Sequence, residues 1–146
     1  SNVQGLLIAH ERDTKVKRLA GKFDRVLVDA PCSGLGTLRR NPDLKWRQTP
    51  ESVTELTAKQ AAILAAAASL VKIGGRLVYA TCSLLTEENE AIVEAFLARH
   101  GDFRPTPVGE LLAAQKVPLE MGRYLRLDPA SHGTDGFFAA VLERVA

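Results

Sequence analysis

The chain has 146 residues, 46% of them hydrophobic and 25% charged, with a formal charge of +2. These values fit an ordinary globular chain with one core, so one domain, or part of one, is the ceiling. They exclude a transmembrane helix, since the longest apolar run, Ala61 to Val71, is broken by Ser69 and reaches about half the roughly 20 residues a span requires. In chain order, Gly5 to Ala9 (GLLIA) reads as a short strand, Thr14 to Ala20 as a basic helix, and Asp24 to Asp29 (DRVLVD) as a buried strand stopped by Pro31. A long helix is expected from Pro50, with Thr49 as N-cap. It carries Val53, Leu56, Ile63, Leu64, Ala67, Leu70 and Val71 on one face and is ended by Gly74-Gly75. Arg76 to Thr81 (RLVYAT) is the next buried strand, and Thr86, followed by Glu87 and Glu88, opens a helix that His100-Gly101 closes.

Residues 102 to 123 are broken by Pro105, Pro107, Gly109, Pro118 and Gly122, with a short helix at Glu110 to Lys116. Tyr124 to Leu127 reads as a short strand, Ser131 to Gly136 as a turn-rich loop holding His132 as a turn residue, and Phe137 to Arg144 (FFAAVLER) as a last strand. Strands alternating with helices predict an α/β fold with a largely parallel sheet.

The chemistry-bearing residues sit at two strand ends: Asp29-Ala30-Pro31-Cys32-Ser33-Gly34 and Thr81-Cys82-Ser83. Ligands of open α/β sheets bind at the carboxyl ends of the strands, so Asp29, Cys32 and Cys82 are expected to converge on one site. No secretory segment or cysteine framework is present, and both cysteines read as reduced cytosolic thiols, which predicts a cytoplasmic protein. Arg39, Arg40, Lys45 and Arg47 surround Trp46, opposed by Asp43. They form a candidate RNA-contact loop, with guanidinium groups for phosphates and an aromatic face for stacking; a solvated basic loop is the alternative. Neither a metal nor a membrane partner is expected.

The motifs DAPCSG and TCS, on consecutive strands, resemble those of the Sun-like RNA cytosine-carbon-5 methyltransferases. The resemblance extends to Arg39-Arg40-Asn41-Pro42-Asp43 with Lys45-Trp46, to Gly74-Gly75, to Glu87-Glu88-Asn89 and to His132 through Phe138. It lies nearest to the bacterial enzymes that methylate 16S ribosomal RNA. It implies a Rossmann-like methyltransferase fold, incomplete in its N-terminal half, with S-adenosylmethionine as cofactor and RNA as partner. Cys82 would be the nucleophile that adds to carbon 6 of cytosine, Cys32 would assist release of the product, and Asp29 would serve both base and cofactor. Pro31 would fix the turn that presents Cys32, beside the cofactor. In the related DNA cytosine methyltransferases the Pro-Cys cysteine attacks, so a DNA enzyme using Cys32 stays open, as does a noncatalytic RNA-binding domain retaining the fold.

By the same resemblance residues 24–146 form the C-terminal part of a catalytic domain, and residues 1–23 are an uncertain segment. Ser1-Asn2 is compatible with a remnant of tag removal. His10-Glu11-Arg12-Asp13 resembles the end of the second cofactor strand, with Glu11 as the ribose-binding acid and Asp13 as a lesser substitute. No glycine-rich loop precedes DAPC, which implies an open cofactor pocket and weak binding by this chain alone.

Overall fold

The fold is described by a computed structural model over residues 2–146, so Ser1 lies outside the described residues. Its elements are α1 (Thr14–Lys17), β1 (Phe23–Asp29), α2 (Leu44–Arg47), α3 (Pro50–Ala68), β2 (Val71–Thr81), α4 (Glu90–Arg99), β3 (Phe103–Thr106), α5 (Val108–Ala114), β4 (Leu125–Leu127), α6 (Pro129–His132) and β5 (Phe137–Arg144). β1 pairs in parallel with β2, while β2, β3 and β4 all pair antiparallel with β5. Strands β1 to β4 therefore share one direction and β5 alone opposes them. The expected largely parallel sheet is present in strand direction but differs in hydrogen-bonded pairing. The physical reason is that β5 inserts between β2 and β3, returning from β4 through a short connection of the kind that joins antiparallel neighbours.

The core lies on one face of this sheet. Leu77, Tyr79 and Thr81 of β2 stand opposite Leu142, Ala140 and Phe138 of β5, and all six are fully or almost fully buried. Leu64 and Ala68 of α3 and Val93 and Phe96 of α4 pack into the same cluster. On β1, Val28 joins the core while Leu27, one residue earlier and on the other face, stays 69% exposed. Helix α3 is set by its start: Thr49 and Ser52 form a reciprocal capping box, with Pro50 at the first turn. Thr49→Ala is expected to lower unfolding free energy by about 1 kcal/mol, read from a denaturant titration.

Several expectations are corrected. Gly5 to Ala9 is not a strand but an exposed segment without regular structure, and it forms no ladder with the open edge of β1. The basic helix closes at Lys17 rather than Ala20. Helix α3 ends at Ala68, and Leu70 and Val71 leave its face. The carbonyls of Ser69 and Leu70 instead accept the N–H groups of Gly21 and Phe23 at 2.8 and 3.0 Å, tying the helix end to the start of β1. Gly74, at φ 78°, and Gly75 lie within β2, where the β1 register jumps from Val71 to Arg76. They form a bulge and do not stop a helix. Thr86–Glu88 is a 3-10 turn before α4, α5 starts and ends two residues earlier than expected, and α6 occupies the start of the expected turn loop.

Candidate active site

The site is built where β1 and β2 end side by side. Asp29 stands opposite Ala80 in the parallel register, and the Ala30 N–H donates to the Ala80 carbonyl at 2.9 Å, carrying the alignment one residue further. Pro31 then ends the strand, and Cys32 and Cys82 emerge together with their sulfur atoms 3.3 Å apart. Both are free thiols of intermediate exposure. Beyond Cys32, Gly34 takes a left-handed conformation and leads into the 3-10 turn Leu35–Thr37. The Gly36 N–H donates to the Cys82 carbonyl at 2.9 Å, while the Gly136 N–H donates to the Gly36 carbonyl at 2.7 Å. Three loops, following β1, β2 and α6, are thus laced backbone to backbone around the thiols.

Burial, and after it the contact with the Cys82 thiol, pushes the Cys32 thiol from 9.0 up to about 12. Only thiolate reacts with alkylating agents, so Cys32 modification by iodoacetamide is expected to keep rising through pH 9 to 10, where an ordinary thiol levels off. Peptide mass spectrometry across pH checks this; a plateau near pH 9 contradicts it.

Glu11 and Asp29 border one groove of about 280 Å³ along β1, with Ile8, Val28, Ile63 and Ala67 among its apolar walls. Asp13 is committed elsewhere: its carboxylate caps α1, accepting from the N–H groups of Lys15 and Ala9, and these bonds hold it below the usual carboxylate range. Pro31 is not among the groove's lining residues; its carbonyl accepts from the Gln60 side chain at 2.9 Å. A larger cavity of about 450 Å³ lies against α5, between Gly109 and Met121, and none of the expected site residues borders it.

The basic segment is partly committed to the fold. Arg40 pairs with Asp135 at 2.5 Å and Arg47 pairs with Asp43, while Arg39 reaches the Gly133 carbonyl at 3.4 Å. Lys45 lies 4.9 Å from the Trp46 ring, which is 80% exposed. The loop expectation missed α2, which carries Lys45, Trp46 and Arg47. The His132 Nδ1 accepts the Asp128 N–H at 3.1 Å.

The sequence model described as 16S rRNA methyltransferase RsmB/F matches residues 2–143. The chain belongs to this family. It is 49% identical over 121 residues to a probable ribosomal RNA small subunit methyltransferase B of Synechocystis, covering 83% of this chain and 27% of that protein. It is 40% identical to ribosomal RNA small subunit methyltransferase B of Thermus thermophilus, covering 97% of this chain and 34% of that one. The chain thus spans about a third or less of the length of these curated relatives. Among solved structures, NSun6 from Pyrococcus horikoshii with SFG superposes with a TM-score of 0.74 at 30% identity, over 97% of this chain and 35% of that one. The Rossmann-like methyltransferase fold expected for an RsmB/F chain is the one present.

Sequence reasoning missed Ser33, Gln60, Ser83, Glu88 and Asn89, all buried behind the thiols. The available signals were Ser33 and Ser83 standing inside the DAPCSG and TCS motifs and Glu87-Glu88-Asn89 within the same resemblance. The chemistry of that last run reads as the ordinary acidic start of a helix.

Proposed function

We propose that the chain carries the thiol pair of an S-adenosylmethionine-dependent enzyme that methylates carbon 5 of cytosine in 16S ribosomal RNA. The observation that carries this reading is the Cys32–Cys82 pair, 3.3 Å apart at the carboxyl ends of two adjacent parallel strands. Carbon 5 of cytosine is a poor nucleophile until a thiolate adds to carbon 6 and makes the ring enamine-like. Cys82 forms that sulfur–carbon bond. Burial and the contact with Cys82 raise the Cys32 thiol pKa; the choice of Cys82 over Cys32 as the attacking group follows the resemblance to the RNA branch of the family. After methyl transfer a base takes the carbon-5 proton, the C–H electron pair restores the 5,6 double bond, and the sulfur–carbon bond breaks with Cys82 leaving as thiolate; Cys32 lies beside it to assist release. Asp29, exposed at the end of β1, accepts a hydrogen bond from the cytosine amino group.

The residues present suit the cofactor. Glu11 and Asp29 offer two carboxylates for ribose hydroxyls and an ammonium group, and the apolar walls of their groove suit an adenine ring. SFG, named with the Pyrococcus horikoshii relative, is an S-adenosylmethionine analogue. When bound, S-adenosylmethionine supplies the methyl group from a sulfonium. Pro31 shapes the turn that presents Cys32, and Trp46 with Arg39, Arg40, Lys45 and Arg47 forms the RNA-facing surface. Cytoplasmic RNA is the setting in which both thiols stay reduced.

Deleting the gene is expected to remove one 5-methylcytosine from 16S ribosomal RNA, measured by nucleoside mass spectrometry and located by bisulfite sequencing. Unchanged 5-methylcytosine in the deletion strain contradicts the proposal.

A further inference from the structure

Glu88 is 0% exposed, and its carboxylate is an acceptor surrounded by donors. One oxygen accepts from the Ser33 N–H at 2.8 Å and from the Gln60 side-chain amide at 3.0 Å. The other accepts from the Ser33 hydroxyl at 2.6 Å and from the Ser83 hydroxyl. Its own carbonyl accepts from the buried Tyr79 hydroxyl at 2.6 Å. Ser33 directly follows Cys32 and Ser83 directly follows Cys82. A single carboxylate therefore grips both cysteine-bearing loops from beneath.

We propose that Glu88 is a positioning residue that sets the separation of the Cys32 and Cys82 thiols by holding Ser33 and Ser83 on one carboxylate. This rests on the cysteine pair being the reacting site, and it adds a group that never touches substrate. Burying a carboxylate is costly unless hydrogen bonds replace its water, and here four donors do so. Charge-assisted bonds of this kind are short and directional, so they fix two loops that belong to different strands. Asn89 extends the support: its amide donates to the Ser83 carbonyl at 2.9 Å while its oxygen accepts from the Thr81 hydroxyl at 2.5 Å.

The chain has two cysteines, so its equilibrium with reduced and oxidised glutathione reads their mutual placement directly. The two thiols give up two protons and two electrons, one intramolecular sulfur–sulfur bond forms, and one oxidised glutathione becomes two reduced molecules. The effective concentration of one thiol for the other follows from the fraction oxidised, counted by alkylation and mass spectrometry on the full chain. Glu88→Ala is expected to lower that effective concentration by about tenfold or more. Glu88→Gln should stay within about threefold of the parent, because the amide has the same shape and the serine hydroxyls can rotate to accept. Thermal unfolding is followed in parallel, since a residue serving only stability lowers the melting point without moving the thiol equilibrium of the folded chain. A folded Glu88→Ala with the parent value overturns the proposal. If that variant does not fold, Ser83→Ala, which deletes one hydroxyl, is expected to lower the value about threefold, and the parent value there overturns it equally. The equilibrium involves neither RNA nor cofactor, so a failure of Cys82 as nucleophile is a separate outcome.

Discussion

Cys82→Ala in the full-length protein is expected to abolish the covalent adduct with substrate RNA and to lower methyl transfer by about four orders of magnitude or more. Cys32→Ala is expected to keep the attack and accumulate a trapped RNA–protein complex, because the group that assists release is gone while Cys82 still adds to carbon 6. Denaturing gels separate the two results. The asymmetry is the division of roles that the family resemblance implies for two thiols only 3.3 Å apart, with burial raising the Cys32 thiol pKa. Equal loss of adduct in both variants contradicts the division of roles.

Gly36→Ala is expected to cost about 2–4 kcal/mol of unfolding free energy, combining overpacking with a strained or lost hydrogen bond. A Cβ there falls 2.4 Å from the Gly136 carbonyl oxygen and 2.6 Å from that of Cys82. Both are backbone atoms, so no side chain can swing aside. The loops must part, breaking the bonds that lace Gly36 to Cys82 and to Gly136, and Cys82 must move with them. Denaturant titration checks the stability, and methyl transfer should fall even where the variant remains folded. A change within about 0.5 kcal/mol, the usual range for a surface substitution, contradicts the packing described.

The buried strands were legible because their signal is local. The runs at β1 and β5 carry enough valine, leucine and phenylalanine between turn residues to stand out, and β5 spans Phe137–Arg144 as read from the sequence. Strand β3 escaped because Pro105 argues against a strand. It is tolerated because β3 pairs on one side only, with Pro105 opposite Leu142 of β5, and an edge strand can spare an N–H. The end of α3 escaped for a different reason: Leu70 and Val71 continue the helical spacing, and it is the long-range capture of Ser69 and Leu70 by Gly21 and Phe23 that stops the helix. Gly5 to Ala9 shows the converse, strand-like composition with no partner strand.

The site divides in the same way. Strand ends placed Asp29, Cys32 and Cys82, since position along an α/β strand is itself a functional signal. What lies beneath them was illegible. Glu88 has the sequence context of a solvated acid at a helix start, yet it is fully buried, and only the fold brings Ser33 and Ser83 to it from sites 50 residues apart. Gly36 likewise looks like one more loop glycine until the Cys82 and Gly136 backbones close on it. Arg40 is free in sequence but paired with Asp135 in the fold, and Arg39 reaches the Gly133 carbonyl, which leaves Trp46 and Lys45 as the more available part of the basic surface.

The central claim is tested most directly by mapping the covalent bond. RNA containing 5-fluorocytosine, incubated with the full-length protein and S-adenosylmethionine, holds the adduct because the fluorine on carbon 5 cannot leave as a proton does. Trypsin separates the two candidates, placing Cys32 in the peptide from Val26 to Arg39 and Cys82 in that from Leu77 to Arg99. Nucleotide mass on the Cys82 peptide is the predicted result, and nucleotide mass on the Cys32 peptide, or on neither, contradicts it.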